Sequence, residues 1–548
     1  MNWLAISTFI GATAAVAIAT TLIVRRMKRS DNATVEYFTG GRALAWPVVA
    51  GSLMLTNLST EQLVGLNGDI FLDGNLAGIA WEVGAAIAMV MTALFFLPRY
   101  LRNGFTTTPG YLALRFDKTT RQVVSGLFLF GYAVTFLPVV LYTGAKAIGG
   151  IFGLELDLWV IVAVVGLLGS LYAVVGGLKS VAVSDTLNGI GLLVGGLAIP
   201  FLALQVVGDG SALAGLGEIW TKNPESFSPL GTAENSVPWP TLLTGMIIVN
   251  VFYWSTNQVI VQRALGAESL EAGQKGILFA AGLKLLGPLM LCVPGLVALH
   301  LVSEGAMSIP QTCGANGTSL CSAEVYPTLV GHVLPGWALG LFAAVLVGAV
   351  LSSFNSGLNS AATLFSLQFY REYVRKDASA EELVSAGRKF GIGLTLVTVA
   401  IAPMLDQWTS IFEYLQVTNG LYSVPIITVF AVGMLSKRVP PLGAKLGMAA
   451  GGGLYAAFVL ADKLMGVSLT GGLHWLHNLA IAFFVGVVAM LVVGHFKPLN
   501  RATYDARLGT ADAPVSVVAW KSAGTVSSFI LGGVVIIYGA LTFFAFGL

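Results

Sequence analysis

Five polar residues stand within six positions of an otherwise apolar run: Asn57, Ser59, Thr60, Glu61 and Gln62 in AGSLMLTNLSTEQLVGLNG. Amides, hydroxyls and a carboxylate grouped this densely can coordinate a hard cation or hydrogen-bond a solute rich in hydroxyls. A second polar group, Ser255-Thr256-Asn257-Gln258, follows Asn250, Tyr253 and Trp254 in another apolar run. Glu82 follows Trp81, and Lys284 stands in GLKLLGPLM. Two acids, Glu61 and Glu82, and one base, Lys284, nearly balance, so they can form a network without large net charge. Donors and acceptors serve hydroxyl groups, and Tyr or Trp faces serve the C–H face of a sugar ring. An amino acid or organic acid would instead call for a fixed counter-charge.

A third group is hydroxyl-rich: Ser352, Ser353, Asn355, Ser356, Asn359 and Ser360 in VLSSFNSGLNSAAT. Serine hydroxyls with backbone carbonyls suit sodium, a hard cation. Asp185, in GGLKSVAVSDTLNG, is a buried-acid candidate near the cytoplasmic side, and Gln416 adds a polar group in IFEYLQVTNG. No nucleophile–base pair and no Cys/His metal spacing accompanies these residues, which disfavours an enzyme. The balanced charge of +2 gives no reason to expect nucleic acid as a partner.

The elements that must position them are membrane helices. The chain has 548 residues, 56% of them hydrophobic and 10% charged, against about 25% charged in soluble proteins. Apolar stretches near the roughly 20 residues that span a bilayer recur at 3–24, 44–68, 76–101, 121–150, 155–177, 181–206, 239–262, 275–303, 333–370, 386–404, 408–435, 443–463, 473–495 and 522–547. The first is no signal peptide, because Arg25, Arg26, Lys28 and Arg29 follow the apolar run. With the N-terminus outside, the odd-numbered connections are cytoplasmic and carry 25 of the 29 Lys and Arg residues, as the positive-inside rule requires. Arg263 is counted there, on the connection after the seventh stretch. Both termini then lie outside a cell membrane. Cys313 and Cys321 share an outer loop, where a disulfide is expected.

Buried polar groups in a bilayer must be satisfied internally, and a charged side chain at mid-depth costs about 2.5–3.5 kcal/mol or more. A polar interruption flanked by Gly51 and Gly65 fits a helix that unwinds and frees carbonyls for an ion. The echo of STEQ in STNQ lies five helices later, so the two cross in opposite senses. That is the pattern of an inverted repeat, 44–206 against 239–435, with 3–24 and 443–547 outside it.

Taken in order, NLSTEQ, GGLKSVAVSDTLNG, NVFYWSTNQVIVQRALGA, QKGILFAAGLKLLGPLMLCVPG and SSFNSGLNSAATLFSLQFYREY resemble the solute:sodium symporter family, which includes the sodium/glucose cotransporters, and its bacterial sodium/galactose members in particular. The resemblance implies an all-α membrane protein with a LeuT-like core of two inverted five-helix repeats. It places the sugar contacts on Asn57, Glu61, Gln62, Glu82, Asn250, Lys284 and Gln416. Tyr253 would close the sugar from the cytoplasm, and Leu66 and Phe412 would form the outer gate. Sodium would lie on the carbonyls of Leu55, Leu58 and Ala349 and the hydroxyls of Ser352 and Ser353, with Asp185 on its exit route. Sodium would be the coupling ion, with no organic cofactor, and a homodimer is compatible with the family. Ala85 stands where the galactose-type members have a serine near the sugar, which leaves the exact hexose open. Inositol, sialic acid and amino acids are the alternative solutes, and a membrane sensor without net transport is the alternative class.

Overall fold

The computed structural model describes residues 3–27, 31–154, 156–309, 321–408, 410–500, 504 and 515–547, with backbone alone at 3, 171–176 and 464. Cys313, and with it the expected disulfide, lies outside the described residues. The described chain is helical, with isolated bridges in place of strands. In chain order we label α1 Trp3–Arg26, α2 Trp46–Asn57, α3 Thr60–Asp73, α4 Ala80–Met91, α5 Lys118–Gly131, α6 Leu137–Phe152 and α7 Leu158–Val207. Then follow α8 Gly245–Ser255, α9 Gln258–Leu265, α10 Leu270–Lys284, α11 Val293–Ser303, α12 Ser322–Val333 and α13 Gly336–Leu364. The last five are α14 Ala380–Ile401, α15 Ile411–Leu435, α16 Pro441–Met465, α17 Trp475–Phe496 and α18 Ala523–Phe546.

Among the described residues ten helices are long and apolar enough to cross a membrane, and Leu270–Lys284 with Gly287–Ser303 makes one further crossing bent by 52°. The other three expected crossings are short or interrupted. One is the first part of α7, which turns at Gly177. There φ is +62°, and a Cβ would lie 3.0 Å from Tyr37, so only glycine fits without strain. The other two are α2–α3 and α8–α9, each broken where its polar group stands.

Local chemistry explains further departures from straight helix. Single π-helical turns at 92–96 and 132–136 precede Pro98 and Pro138. A proline offers no N–H to the carbonyl one turn back, so the turn before it widens. Four helices lie in segments that sequence reading left as loops, the short Ala33–Thr39 and Thr108–Arg115 and two longer ones. One is Ala212–Lys222, in the 207–238 connection. The other is α12, which packs against α3 and α6. The packing of α2 and α13 on α7, and of α4 and α8 on each other, brings the polar groups of distant segments into one bundle interior.

Candidate functional site

The break between α2 and α3 is made by two residues. Leu58 (φ −76°, ψ 65°) and Ser59 (φ −106°, ψ −177°) leave helical geometry. The Ser59 N–H donates to the Asn57 carbonyl (2.8 Å), and the N–H groups of Gln62 and Leu63 both donate to Ser59 (3.1 and 3.0 Å). The carbonyls of Leu55 and Leu58 thereby lose the amides that a continuous helix would give them. Across the gap, the Ser353 hydroxyl donates to the Thr56 carbonyl (3.3 Å). Ser352 and Ser353 lie one turn beyond Ala349 on α13, and all three are buried. The expected sodium ligands thus gather at one junction of α2 and α13. The junction's polar atoms are not used up by the fold: Thr56 Oγ1 and Asn57 Oδ1 are buried without a hydrogen bond.

The larger polar group lies next to this break. Lys284 pairs with Glu82, and both side chains are fully buried. The ammonium sits 5.7 Å from the Trp254 ring centre. Ser59 donates to the Glu61 carboxylate. Gln62 Oε1 and Glu82 Oε1 have no hydrogen bond. Buried acceptors left unsatisfied cost about 1–3 kcal/mol each, so packing between helices alone does not account for this group.

Not every expected contact converges equally. Asn250 donates to the Met246 carbonyl on its own helix (3.1 Å) and lines a mainly apolar cleft of about 260 Å³ shared by α4, α8 and α18. Gln416 lies one turn beyond Phe412 on α15 and is buried. Phe412 fills the space beside Gly65, where a Cβ would come within 2.9 Å of it. Its ring meets Trp81 edge-on (5.4 Å), and Trp81 stacks on Trp475 (6.3 Å). Leu66 is fully buried one residue on from Gly65. The aromatic layer over the polar group is therefore closed. Tyr253 is half-buried on α8, edge-on to Trp254 (5.4 Å).

Asp185 is more firmly held than its sequence context suggested. Ser52 donates to its Oδ2 (2.7 Å), and Arg263 Nη2 lies 3.4 Å from the same oxygen. Arg263 also donates to Ser52 (3.0 Å), the Val259 carbonyl and Ser356. Arg263 is thus a fully buried ion-pair partner at the end of α9, not a loop charge as the topology count placed it. Beside it, a cavity of about 140 Å³ between α1, α7 and α13 is lined by Asp185, Ser352 and Asn355; the Ser352 hydroxyl turns to the Asp185 carboxylate, and Asn355 Oδ1 has no hydrogen bond.

Sequence reading missed the residues that complete the second break. Tyr132 donates to Asn257 Oδ1 (2.7 Å), Tyr100 to the Ser255 carbonyl (2.9 Å), and Thr92 bonds Ser255 Oγ (2.8 Å). Aromatic residues in apolar helices look like core, so no sequence signal marked them. At the other break, Thr60 meets Thr143 (3.2 Å), another residue with no outward mark in the sequence.

Comparison with known proteins bears on the family and the fold. The model of the Sodium:solute symporter family matches residues 37–451. The uncharacterized symporter YidK of Escherichia coli (strain K12) is 41% identical over 99% of this chain and 92% of its own. The sodium/glucose cotransporter of Vibrio parahaemolyticus is 32% identical, with 82% of each chain covered. A solved Na+-coupled sialic acid symporter superposes with a TM-score of 0.75 at 20% identity, over 90% of this chain and 99% of its own. The all-α, LeuT-like membrane fold expected from sequence is the fold of this chain.

Proposed function

The chain belongs to the sodium:solute symporter family, and from that premise we propose that it carries a hexose of the galactose/glucose type inward, driven by the sodium gradient. The observation that carries this reading is the α2–α3 break, with its freed Leu55 and Leu58 carbonyls and Ser353 across the gap. Sodium there, held also by the Ala349 carbonyl and Ser352, would stitch the broken helix to α13. The sugar would lie against Asn57, Glu61, Gln62, Glu82, Lys284 and Gln416, with Asn250 at its margin. Phe412 and Leu66 close it from outside and Tyr253 from the cytoplasm. The polar lining of the cavity beside Asp185, with Ser352 and an unbonded Asn355 Oδ1, supports its place on the sodium exit route.

Coupling follows from differential affinity. A ligand shifts a conformational equilibrium only by binding one state better than another. Sodium binds the form in which α2 and α13 are close, and that form presents Gln62 and Asn57 to the sugar. The chain sits in the cell membrane with both termini outside, the orientation that puts the Lys and Arg clusters in the cytoplasm. A cyclic polyol such as inositol is the second reading, since Ala85 offers no hydroxyl to fix one hexose epimer.

The test is uptake of radiolabelled galactose, glucose, mannose and inositol into proteoliposomes, with and without an inward sodium gradient. The reading predicts gradient-dependent accumulation of a hexose, abolished by Gln62→Ala. Accumulation of inositol alone would move the assignment to the second reading. Uptake indifferent to sodium would overturn the mechanism.

A further inference from the structure

A cavity of about 370 Å³ opens at the inner ends of α1, α7 and α14, on the face that the Lys and Arg clusters place in the cytoplasm. None of the proposed sugar or sodium contacts lines it. Its wall is part apolar, from Val24 and Val384, and part charged, from Glu36, Lys179, Glu381 and Arg388. Both acids are engaged. Glu36 pairs with Lys179 (2.5 Å), whose side chain is buried. Glu381 accepts from the Ser379 hydroxyl (2.9 Å) at the start of α14. Arg388 differs. It is exposed, its guanidinium carbon lies 5.3 Å from the Tyr37 ring centre, and among the described residues it has no carboxylate partner. Arg25 and Arg26, directly after Val24 in the last turn of α1, are likewise exposed and unpaired with any described carboxylate.

The apolar part of the wall continues toward the bilayer. On α14, Ile392 and Leu396 follow Arg388 at i+4 and i+8, and both are at least half exposed. On α1, Leu22 and Ile23 are exposed beside Val24. A basic group at the cytoplasmic end of a lipid-facing stripe meets both halves of a phospholipid, the phosphate at the guanidinium and the acyl chain along the stripe. Arginine suits phosphate because its planar fork donates two parallel N–H bonds. A soluble anion would make no use of the stripe.

The cavity also stands at a joint of the fold. Tyr37 belongs to the short helix Ala33–Thr39 that links α1 to α2, and it abuts Gly177, where α7 turns. The next residue, Phe38, accepts through its carbonyl from Gln262 of α9 (2.6 Å). A group held at Arg388 therefore bears on the segment that leads into both broken crossings. We propose that this cavity holds the headgroup of one anionic phospholipid of the cytoplasmic leaflet, its phosphate on Arg388, with Arg25 and Arg26 adding positive charge. The site does not depend on which solute is carried.

The experiment is native mass spectrometry of the purified, delipidated full-length protein, titrated separately with phosphatidylglycerol, phosphatidylcholine and glycerol phosphate. Phosphatidylglycerol is expected to fill one site more tightly than phosphatidylcholine. Arg388→Gln should weaken it about tenfold, through loss of a charge-assisted pair, and the double variant Arg25→Gln, Arg26→Gln about threefold. These side chains are exposed, so the variants fold. Arg102→Gln, at an exposed arginine outside the cavity, should bind as the wild type does. Equal affinity for phosphatidylcholine, wild-type affinity in Arg388→Gln or in the double variant, or an equal loss in Arg102→Gln overturns the site. Glycerol phosphate bound as tightly as phosphatidylglycerol overturns the lipid and makes the ligand a soluble phosphate.

Discussion

At the α2–α3 break Thr56 Oγ1, Asn57 Oδ1 and Gln62 Oε1 lack hydrogen bonds, whereas at the α8–α9 break the protein's own side chains fill the gap. There Asn257 caps α9 through the Val259 N–H (3.2 Å) and accepts from Tyr132, Ser255 accepts from Tyr100, and Gln258 accepts from the Thr108 N–H (2.7 Å). Only Gln258 Nε2 is left over. Two similar tetrapeptides, STEQ and STNQ, thus break two helices with opposite outcomes. A break whose polar groups are satisfied internally is scaffold, and one whose groups are left unsatisfied is available to an ion and a solute. Glu61 and Asn257 stand in matching positions with different roles: the acid accepts from Ser59 in the first turn of α3, and the amide caps α9.

The largest effects fall beside the open break. Lys284→Ala leaves Glu82 buried and unpaired, which costs about 3–5 kcal/mol and abolishes hexose uptake. Denaturation and transport assays together check both. Lys284→Met with Glu82→Gln should restore much of the stability and none of the transport, because no isolated charge remains buried but the polar group is gone. Arg263→Met comes next. It strands Asp185 at a similar cost of about 3–5 kcal/mol, yet it spares the sugar contacts, so uptake by the folded fraction persists with altered sodium dependence. The smallest effect falls at the filled break. Tyr132→Phe removes the hydrogen bond to Asn257 (2.7 Å) and a longer one from the Val259 N–H (3.3 Å), which Asn257 also accepts, and should cost about 1 kcal/mol, read as a lowered Tm, with the sugar KM unchanged. A large sugar defect from Tyr132→Phe would erase the contrast between the two breaks.

Much of this contrast could be read before the fold was known, and some could not. Polar residues inside apolar runs are conspicuous, so both breaks and the Glu82 and Lys284 charges stood out by composition alone. A network of Lys284 with Glu61 and Glu82 was expected; that Glu82 is the acid it pairs with, 202 residues away, was not legible. Arg263 was misplaced because it follows a hydrophobic run and counts as a cytoplasmic charge. Only the folding of α9 back into the bundle, as a short buried helix, brings it to Asp185. Helix α12 was missed because its twelve residues are too few to cross a membrane. Tyr132 and Tyr100 were invisible as functional supports, since an aromatic residue in a membrane helix carries no mark of the hydroxyl's partner.

The central claim is that the open break is where sodium binds. The most direct test is ²²Na⁺ binding to the purified protein without sugar, comparing wild type, Ser353→Ala and Tyr132→Phe. Loss of one hydroxyl ligand should weaken sodium binding in Ser353→Ala about tenfold, equivalent to about 1.4 kcal/mol, while Tyr132→Phe binds as the wild type does. Unchanged sodium affinity in a folded Ser353→Ala protein, or a loss confined to Tyr132→Phe, would contradict the account.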